Sequence, residues 1–106
     1  MKQTIHLPDF RDAFHHAGRG KQFSYEALEL LYDFFEEIDP NYELDVIAIC
    51  CDFAESSKEE IMRSYDFQDS PEESDLMNRI YFKDWLRDET LLLGETEDGN
   101  FVYQQF

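Results

Sequence analysis

The stretch SYEALELLYDFFEEID, residues 24–39, restricts the fold more strongly than any other part of the chain. Apolar residues recur in it at every third or fourth position, which is the spacing of one side of an α-helix. These residues are Leu28, Leu31, Phe34, Phe35 and Ile38. Ser24 is a suitable N-cap, and Pro40 ends the helix because a residue that precedes proline is disfavoured in the α region. The stretch is therefore predicted to be an amphipathic helix that needs an apolar core on one side.

The opposite side of this predicted helix is acidic. Its acids are Glu26, Glu29, Asp33, Glu36 and Glu37. Like charges at i, i+4 destabilise a helix by about 0.2–0.5 kcal/mol per pair, so such a side costs stability. One interpretation is a solvated face that keeps a small protein soluble. The other is a surface that meets a basic partner, which is favoured because no Lys, Arg or His occurs between Glu26 and Glu55.

The segments on either side of this helix predict further regular structure. Residues 2–7 are β-prone, and Pro8 opens a helix that Gly18 ends. The run LDVIAICCDF, residues 44–53, is almost continuously apolar and bounded by polar residues, which favours a buried strand. Periodicity alone also allows a buried helix there.

Two more helices and a hairpin are predicted after this run. A capping box, formed by Ser56 with Glu59 or by Ser57 with Glu60, predicts a short helix. Residues 76–88 have helical apolar spacing, and TLLLGETEDGNFVYQQF predicts a hairpin that turns at Asp98-Gly99. We therefore expect one α+β domain over residues 1–106. Its predicted order is β-α-α-β-α-α-β-β, with a mostly antiparallel sheet and a C-terminal hairpin.

The charge of the chain excludes several classes of partner. The net charge is −16, and residues 23–76 hold seventeen acids against two bases. Such a surface repels nucleic acid and anionic lipid, so we expect no direct binding to either. A basic protein surface is the natural complement.

The same sequence predicts a cytoplasmic protein. The N-terminal residues MKQTIHLPDF lack the apolar segment of a signal peptide, and no apolar stretch approaches the ~18 residues of a membrane span. Cys50 and Cys51 are the only cysteines, which is not a disulfide framework and fits a reducing compartment.

No group of residues predicts a catalytic site. Cys50 and Cys51 lie in an apolar run and are predicted to be core residues. His15 and His16 have no second cluster of ligands, so we expect surface histidines rather than a metal site. The segments GRGK and ETEDGN lack the spacing of a phosphate loop and of a calcium loop. We therefore expect a protein that is not an enzyme and has no cofactor or metal.

A short basic row interrupts the acidic sequence. Arg79, Lys83 and Arg87 are four residues apart on a predicted helix. In so acidic a chain we expect them to pair with nearby carboxylates, such as Asp84, Asp88 or the central acids, rather than with nucleic acid.

The acids of the central segment are the candidate partner-binding residues. Successive acids on the helix are about 4.5–6 Å apart along its axis, while phosphates on one DNA strand rise by about 3.4 Å per nucleotide along a longer backbone path. A carboxylate ridge could therefore occupy part of a groove built for a nucleic-acid backbone. The candidates are Glu26, Glu29, Asp33, Glu36 and Glu37, with Glu43, Asp45, Glu59 and Glu60 as extensions.

The pattern FSYEAL, YDFFEE and ELDVIAICCDFAES, with FRDAF before it and FVYQQF at the end, resembles a group of small acidic proteins of tailed phages, prophages and plasmids. The resemblance covers most of the chain and implies an origin in a mobile element. By analogy of charge and size, it implies the class of anti-CRISPR and anti-restriction inhibitors. It carries over no functional residues.

Two functions are therefore expected. The first is a phage or mobile-element inhibitor of a host defence complex, CRISPR-Cas or restriction, that acts in the bacterial cytoplasm as a nucleic-acid mimic. The alternative is a small non-enzymatic adaptor or regulatory protein that binds its partner through an aromatic patch. The candidate patch residues are Tyr25, Tyr32, Tyr42 and Tyr65.

Overall fold

The computed structural model describes residues 5–39, 41–65 and 67–106. These residues form five helices and three strands. The helices are α1 (Leu7–His16), α2 (Tyr25–Ile38), α3 (Val46–Asp52), α4 (Lys58–Tyr65) and α5 (Asp75–Glu89). The strands are β1 (Phe53–Ser57), β2 (Leu92–Glu95) and β3 (Asn100–Gln104).

The long amphipathic helix is present as predicted. Ser24 caps α2, and its Oγ accepts a hydrogen bond from the Ala27 N–H at 3.2 Å. Leu28, Leu31 and Phe35 are buried, whereas Ile38 at the last turn is 59% exposed. The predicted apolar side thus forms the core contact over most of the helix and leaves the core at its end.

The strands form one antiparallel sheet in the order β1-β3-β2. The predicted C-terminal hairpin is confirmed, with β2 and β3 joined by a tight turn. In that turn Gly99 has φ +85°, a conformation that favours glycine, and its N–H donates to the Thr96 carbonyl. The α+β class and the antiparallel sheet are therefore as predicted.

Helices cover both faces of the sheet. Val102 of β3 packs into a cluster with residues of α1, α2 and α3, while its neighbours Phe101 and Tyr103 pack into a second cluster with Ile61 of α4 and Phe82 of α5. Successive residues of a strand point to opposite faces. Two apolar layers therefore bury three consecutive residues of the central strand.

The prediction of a strand over residues 44–53 is wrong. Asp45 caps α3 by accepting a hydrogen bond from the Ala48 N–H at 3.0 Å, and the run continues as a helix until strand β1 begins at Phe53. Within the helix, Ile49 and Cys50 are buried, and the buried Phe53 begins the strand. An apolar run of this length is compatible with either a short helix or a buried strand. The Asp45 side chain favours the helix because it accepts a hydrogen bond from a backbone N–H of the first turn.

This helix also corrects the prediction for the cysteines. Cys50 is buried, and burial raises the pKa of its thiol. Cys51 is exposed, because neighbouring residues of a helix point in directions about 100° apart. Only one of the two predicted core cysteines therefore lies in the core.

Two further predictions concern the ends of elements. Residues 2–4 of the predicted first strand lie outside the described residues, Ile5 and His6 are not in a strand, and Leu7 begins α1. The capping box of α4 is present in the second predicted form. Ser57 Oγ accepts from the Glu60 N–H, and the Ser57 N–H donates to Glu60 Oε1. The observed order over the described residues is therefore α-α-α-β-α-α-β-β.

Candidate interaction surface

Three of the candidate acids follow one another at every fourth position on the outer side of α2. Glu29, Asp33 and Glu37 are exposed and lie four residues apart, so each is about 6 Å along the axis from the next. Glu29 Oε2 is 3.8 Å from Arg11 Nη2, whereas Asp33 and Glu37 form no hydrogen bond or ion pair within the described residues. We call these three residues the α2 acidic row.

Glu26 connects the start of α2 to the hairpin. It is half-buried, and its Oε2 accepts a hydrogen bond from the Glu97 N–H at 3.0 Å. Leu30 packs against Gly94, where an added Cβ would lie 3.0 Å from the leucine Cδ2. The exposed acids Glu97 and Asp98 consequently lie beside the first turn of α2. Sequence reasoning missed them because only the packing of the hairpin on α2 brings them there.

Acids from two helices surround Tyr32. Burial raises the pKa of Tyr32, and the charges of Glu36, Asp33 and Asp9 raise it further. The Tyr32 hydroxyl donates to the Ile5 carbonyl at 2.7 Å. Asp9 belongs to α1, so the negative potential of the α2 surface continues onto the neighbouring helix.

The negative potential also continues beyond the end of α2. Burial raises the pKa of Tyr42, and the charges of Asp45, Asp52 and Asp39 raise it further. All three of these aspartates are exposed. The candidate Asp45 therefore has two roles, since it caps α3 and adds to the acidic surface. The candidate Glu43 is exposed and forms no hydrogen bond or ion pair within the described residues.

The structure separates Glu59 and Glu60 from the α2 acidic row. Both are exposed in the first turn of α4, whose buried residue Ile61 belongs to the cluster on the other face of the sheet. The backbone and side-chain hydrogen bonds with Ser57 lower the pKa of Glu60, in keeping with its role as a helix cap. These two predicted extensions therefore do not lengthen the row.

The basic row pairs internally, as predicted, but mainly with a carboxylate of the hairpin. Arg79 and Lys83 both form ion pairs with Glu95, the latter at 2.8 Å. Arg87 Nη1 is 3.5 Å from Asp84 Oδ1. The central acids are not their partners among the described residues.

The Glu95 pair gives a prediction for acid stability. Burial by itself raises the pKa of Glu95, but hydrogen bonds from Lys83 and Arg79 and their charges outweigh it, so the pKa lies below its ordinary value. A carboxyl whose pKa is lower in the folded state stabilises the fold above its unfolded pKa, and this contribution is lost as the pH falls through the folded pKa. We expect Glu95→Gln to lower the free energy of unfolding at pH 7 and to reduce its decline in acid.

This expectation can be checked with urea unfolding curves at neutral pH and across the carboxyl range. Glu72→Gln is a suitable control because Glu72 is exposed and forms no ion pair within the described residues. Equal acid dependence in Glu95→Gln and in the original protein would show that the pair does not stabilise the fold.

The acidic surface itself gives a second prediction. Asp33→Asn removes one of the charges that raise the pKa of Tyr32, so we expect this pKa to fall. The ring signals of Tyr32 in an NMR titration at alkaline pH measure it. Glu59→Gln, on the opposite layer, is expected to leave it unchanged, and an equal shift in both variants would contradict the placement of the acids.

The four candidate tyrosines do not form an exposed patch. Tyr25 is 72% exposed, but Tyr32, Tyr42 and Tyr65 are half-buried. Tyr42 stacks on Phe35 with ring centroids 4.4 Å apart, and the Tyr65 hydroxyl donates to the Phe106 carbonyl. Three of the four side chains are therefore used in packing within the chain.

His15 and His16 are exposed at the end of α1. Within the described ranges, no group of three or more His, Cys, Asp or Glu side chains is placed to hold a metal ion. No helix among the same residues is long and apolar enough to cross a membrane.

Comparison of the chain with protein-family models, curated proteins and solved structures found no match.

Proposed function

We propose that this protein is a mobile-element inhibitor that binds the basic nucleic-acid groove of a host defence complex, of the CRISPR-Cas or restriction type. Binding occurs through the α2 acidic row. The observation that carries the proposal is the exposure of Glu29, Asp33 and Glu37 at every fourth position of a capped helix packed against the core.

The row suits a groove built for a nucleic-acid backbone. Its carboxylates are about 6 Å apart, and Arg and Lys side chains that contact successive phosphates can reach charges at such spacing. Since carboxylates on a helix present no base edges, the row would compete with DNA or RNA without imitating a sequence.

The neighbouring acids lengthen the charged surface at both ends. Glu97 and Asp98 lie at the start of α2, and Asp39 and Asp45 lie beyond its end. A fixed arrangement of like charges lowers the stability of the free protein, and pairing with basic residues of the partner would relieve it. We therefore expect association to be fast and strongly dependent on salt.

Capture from a bacterial lysate at low and high salt tests the proposal. The lysate is first treated with nuclease, so that a partner cannot be retained through bound DNA or RNA. We expect a nucleic-acid-binding protein to be retained at low salt and released at high salt. Retention of a partner that has no nucleic-acid site, at both salt concentrations, would refute the proposal.

The alternative function is that of an adaptor, but its binding surface would lie on α5 and not at the four candidate tyrosines. On α5, Leu76, Ile80 and Tyr81 are 69%, 42% and 44% exposed, respectively. Leu76 and Ile80 are four residues apart and so lie on the same side of the helix. If the protein binds its partner through these residues, the affinity should not change with salt concentration. The double variant Leu76→Ser/Ile80→Ser should lose the partner, although it leaves the α2 acidic row intact.

A further inference from the structure

A cavity of about 370 Å³ lies where α1 meets the start of α2. Arg11, Asp12 and His15 of α1 line one side, and Phe23, Tyr25 and Leu28 line the other. Its volume is at the lower end of the range for small-molecule pockets. Most of its lining residues belong to residues 1–22, which hold four bases and two acids.

Arg11 is a buried cation with few internal partners. Only 9% of the residue is exposed, and its Nε has no hydrogen-bond partner among the described residues. Nη2 donates to the Tyr25 carbonyl at 2.9 Å, and the guanidinium carbon is 3.2 Å from the centre of the Tyr25 ring. Among the described residues, the nearest carboxylate is that of Glu29, at 3.8 Å and about half exposed.

Burial of a guanidinium without a close anion lowers the stability of the fold, because the group loses its hydration. A buried guanidinium is normally held by carboxylate oxygens through two parallel hydrogen bonds, which offset the loss of its hydration. Among the described residues, only one of its five N–H donors has an acceptor within hydrogen-bond distance. The arrangement is therefore suited to a carboxylate supplied by a ligand.

The other residues that line the cavity restrict which chemical groups the ligand can carry. Asp12 places a second, negative charge at the same cavity, while Phe23 and Leu28 supply an apolar wall. Asp12 would repel a ligand with two negative charges, and Arg11 would repel a simple cation. A ligand with one carboxylate, one ammonium group and an apolar body satisfies all three parts of the lining.

We propose that the cavity binds a free α-amino acid with an apolar side chain. The carboxylate pairs with Arg11, the ammonium group pairs with Asp12, and the side chain packs against Phe23 and Leu28. This site adjoins the α2 acidic row at Glu29, the carboxylate nearest to Arg11 among the described residues, but the proposal does not depend on the proposed inhibitor function.

Titration of the full chain with small probes, followed by calorimetry and by amide NMR signals, tests the site. We expect L-phenylalanine or L-leucine to bind saturably and to shift the amides of Gly20 and Tyr25. Phenylacetate, without the ammonium group, and phenethylamine, without the carboxylate, should each bind about tenfold more weakly or worse than L-phenylalanine, because each leaves one charge of the site unpaired. The absence of saturable binding by both amino acids, or equal binding of phenylalanine and its two analogues, overturns the proposal.

Two substitutions separate a ligand site from a purely structural arginine. Arg11→Gln should lower affinity for whichever amino acid binds, but it removes a buried charge and can also destabilise the fold. Asp12→Asn avoids this problem because Asp12 is exposed. It should weaken amino-acid binding about tenfold while leaving phenylacetate binding unchanged or stronger.

The matched control is Asp88→Asn, since Asp88 is an exposed acid on α5. This variant should bind the amino acid as the original chain does. If Asp12→Asn also retains the original affinity, the ammonium subsite is wrong and the proposal fails.

Discussion

Reversal of the α2 acidic row, by Glu29→Lys, Asp33→Lys and Glu37→Lys together, is expected to weaken binding to the captured basic partner by about 100-fold. Each substitution replaces an attraction with a repulsion, and the three positions are neighbours on one exposed side of α2. Calorimetry or surface plasmon resonance with the isolated partner measures the dissociation constant. The dependence of binding on salt should fall together with the affinity.

A second triple variant separates the position of the charges from their number. Glu72, Glu73 and Asp88 are exposed, and their side chains form no hydrogen bond or ion pair within the described residues. Their replacement by lysine changes the net charge equally but leaves the row intact, so we expect less than about a threefold loss of affinity. Equal losses in the two variants would show that total charge, rather than the row, determines binding. Unfolding curves confirm that both variants are folded.

Phe101→Ala is expected to have the largest effect on stability, a loss of about 3–5 kcal/mol in the free energy of unfolding. Phe101 is fully buried on the central strand, with its ring centroid 5.2 Å from that of Phe82. The Arg79 guanidinium also lies 5.1 Å from the centre of the Phe101 ring. The substitution leaves a cavity between the sheet and the helical layer of α4 and α5, which urea or thermal unfolding would measure.

Phe106→Ala is the matched control for removal of a phenyl ring. Phe106 stacks on Tyr65 with ring centroids 4.0 Å apart, but it is 41% exposed. Its loss should cost only about 1 kcal/mol, because water already reaches the ring and little cavity remains. If both alanine variants unfold at the same denaturant concentration, the second apolar cluster does not contribute the stability that its burial implies.

The sequence predicts α2 and the hairpin correctly because their signals are local. The apolar spacing from Leu28 to Phe35, the Ser24 cap and the turn at Gly99 each lie within a few residues of the structure that they determine. Residues 44–53 differ because both faces of the run are apolar, which obscures the period that distinguishes helix from strand. The decisive signal there was the single N-cap, Asp45.

The acidic surface was predictable only where it follows one helix. Helical spacing predicted an acidic side of Glu26, Glu29, Asp33, Glu36 and Glu37 without any knowledge of the fold. In the structure Glu29, Asp33 and Glu37 are exposed, whereas Glu26 and Glu36 are half-buried. The contributions of Glu97 and Asp9 depend on how the hairpin and α1 pack against α2, which no local pattern encodes. The same limitation explains why Glu59 and Glu60 were grouped with the row.

Competition between this protein and nucleic acid for the isolated partner tests whether the α2 acidic row occupies a nucleic-acid groove. The partner is first loaded with a labelled DNA or RNA of the kind that it binds, and the protein is then added at increasing concentration. We predict complete displacement of the nucleic acid, a displacement constant equal to the directly measured dissociation constant, and loss of displacement when the α2 acidic row is reversed. A stable complex that holds the partner, the nucleic acid and this protein together would show that the protein does not occupy the nucleic-acid groove.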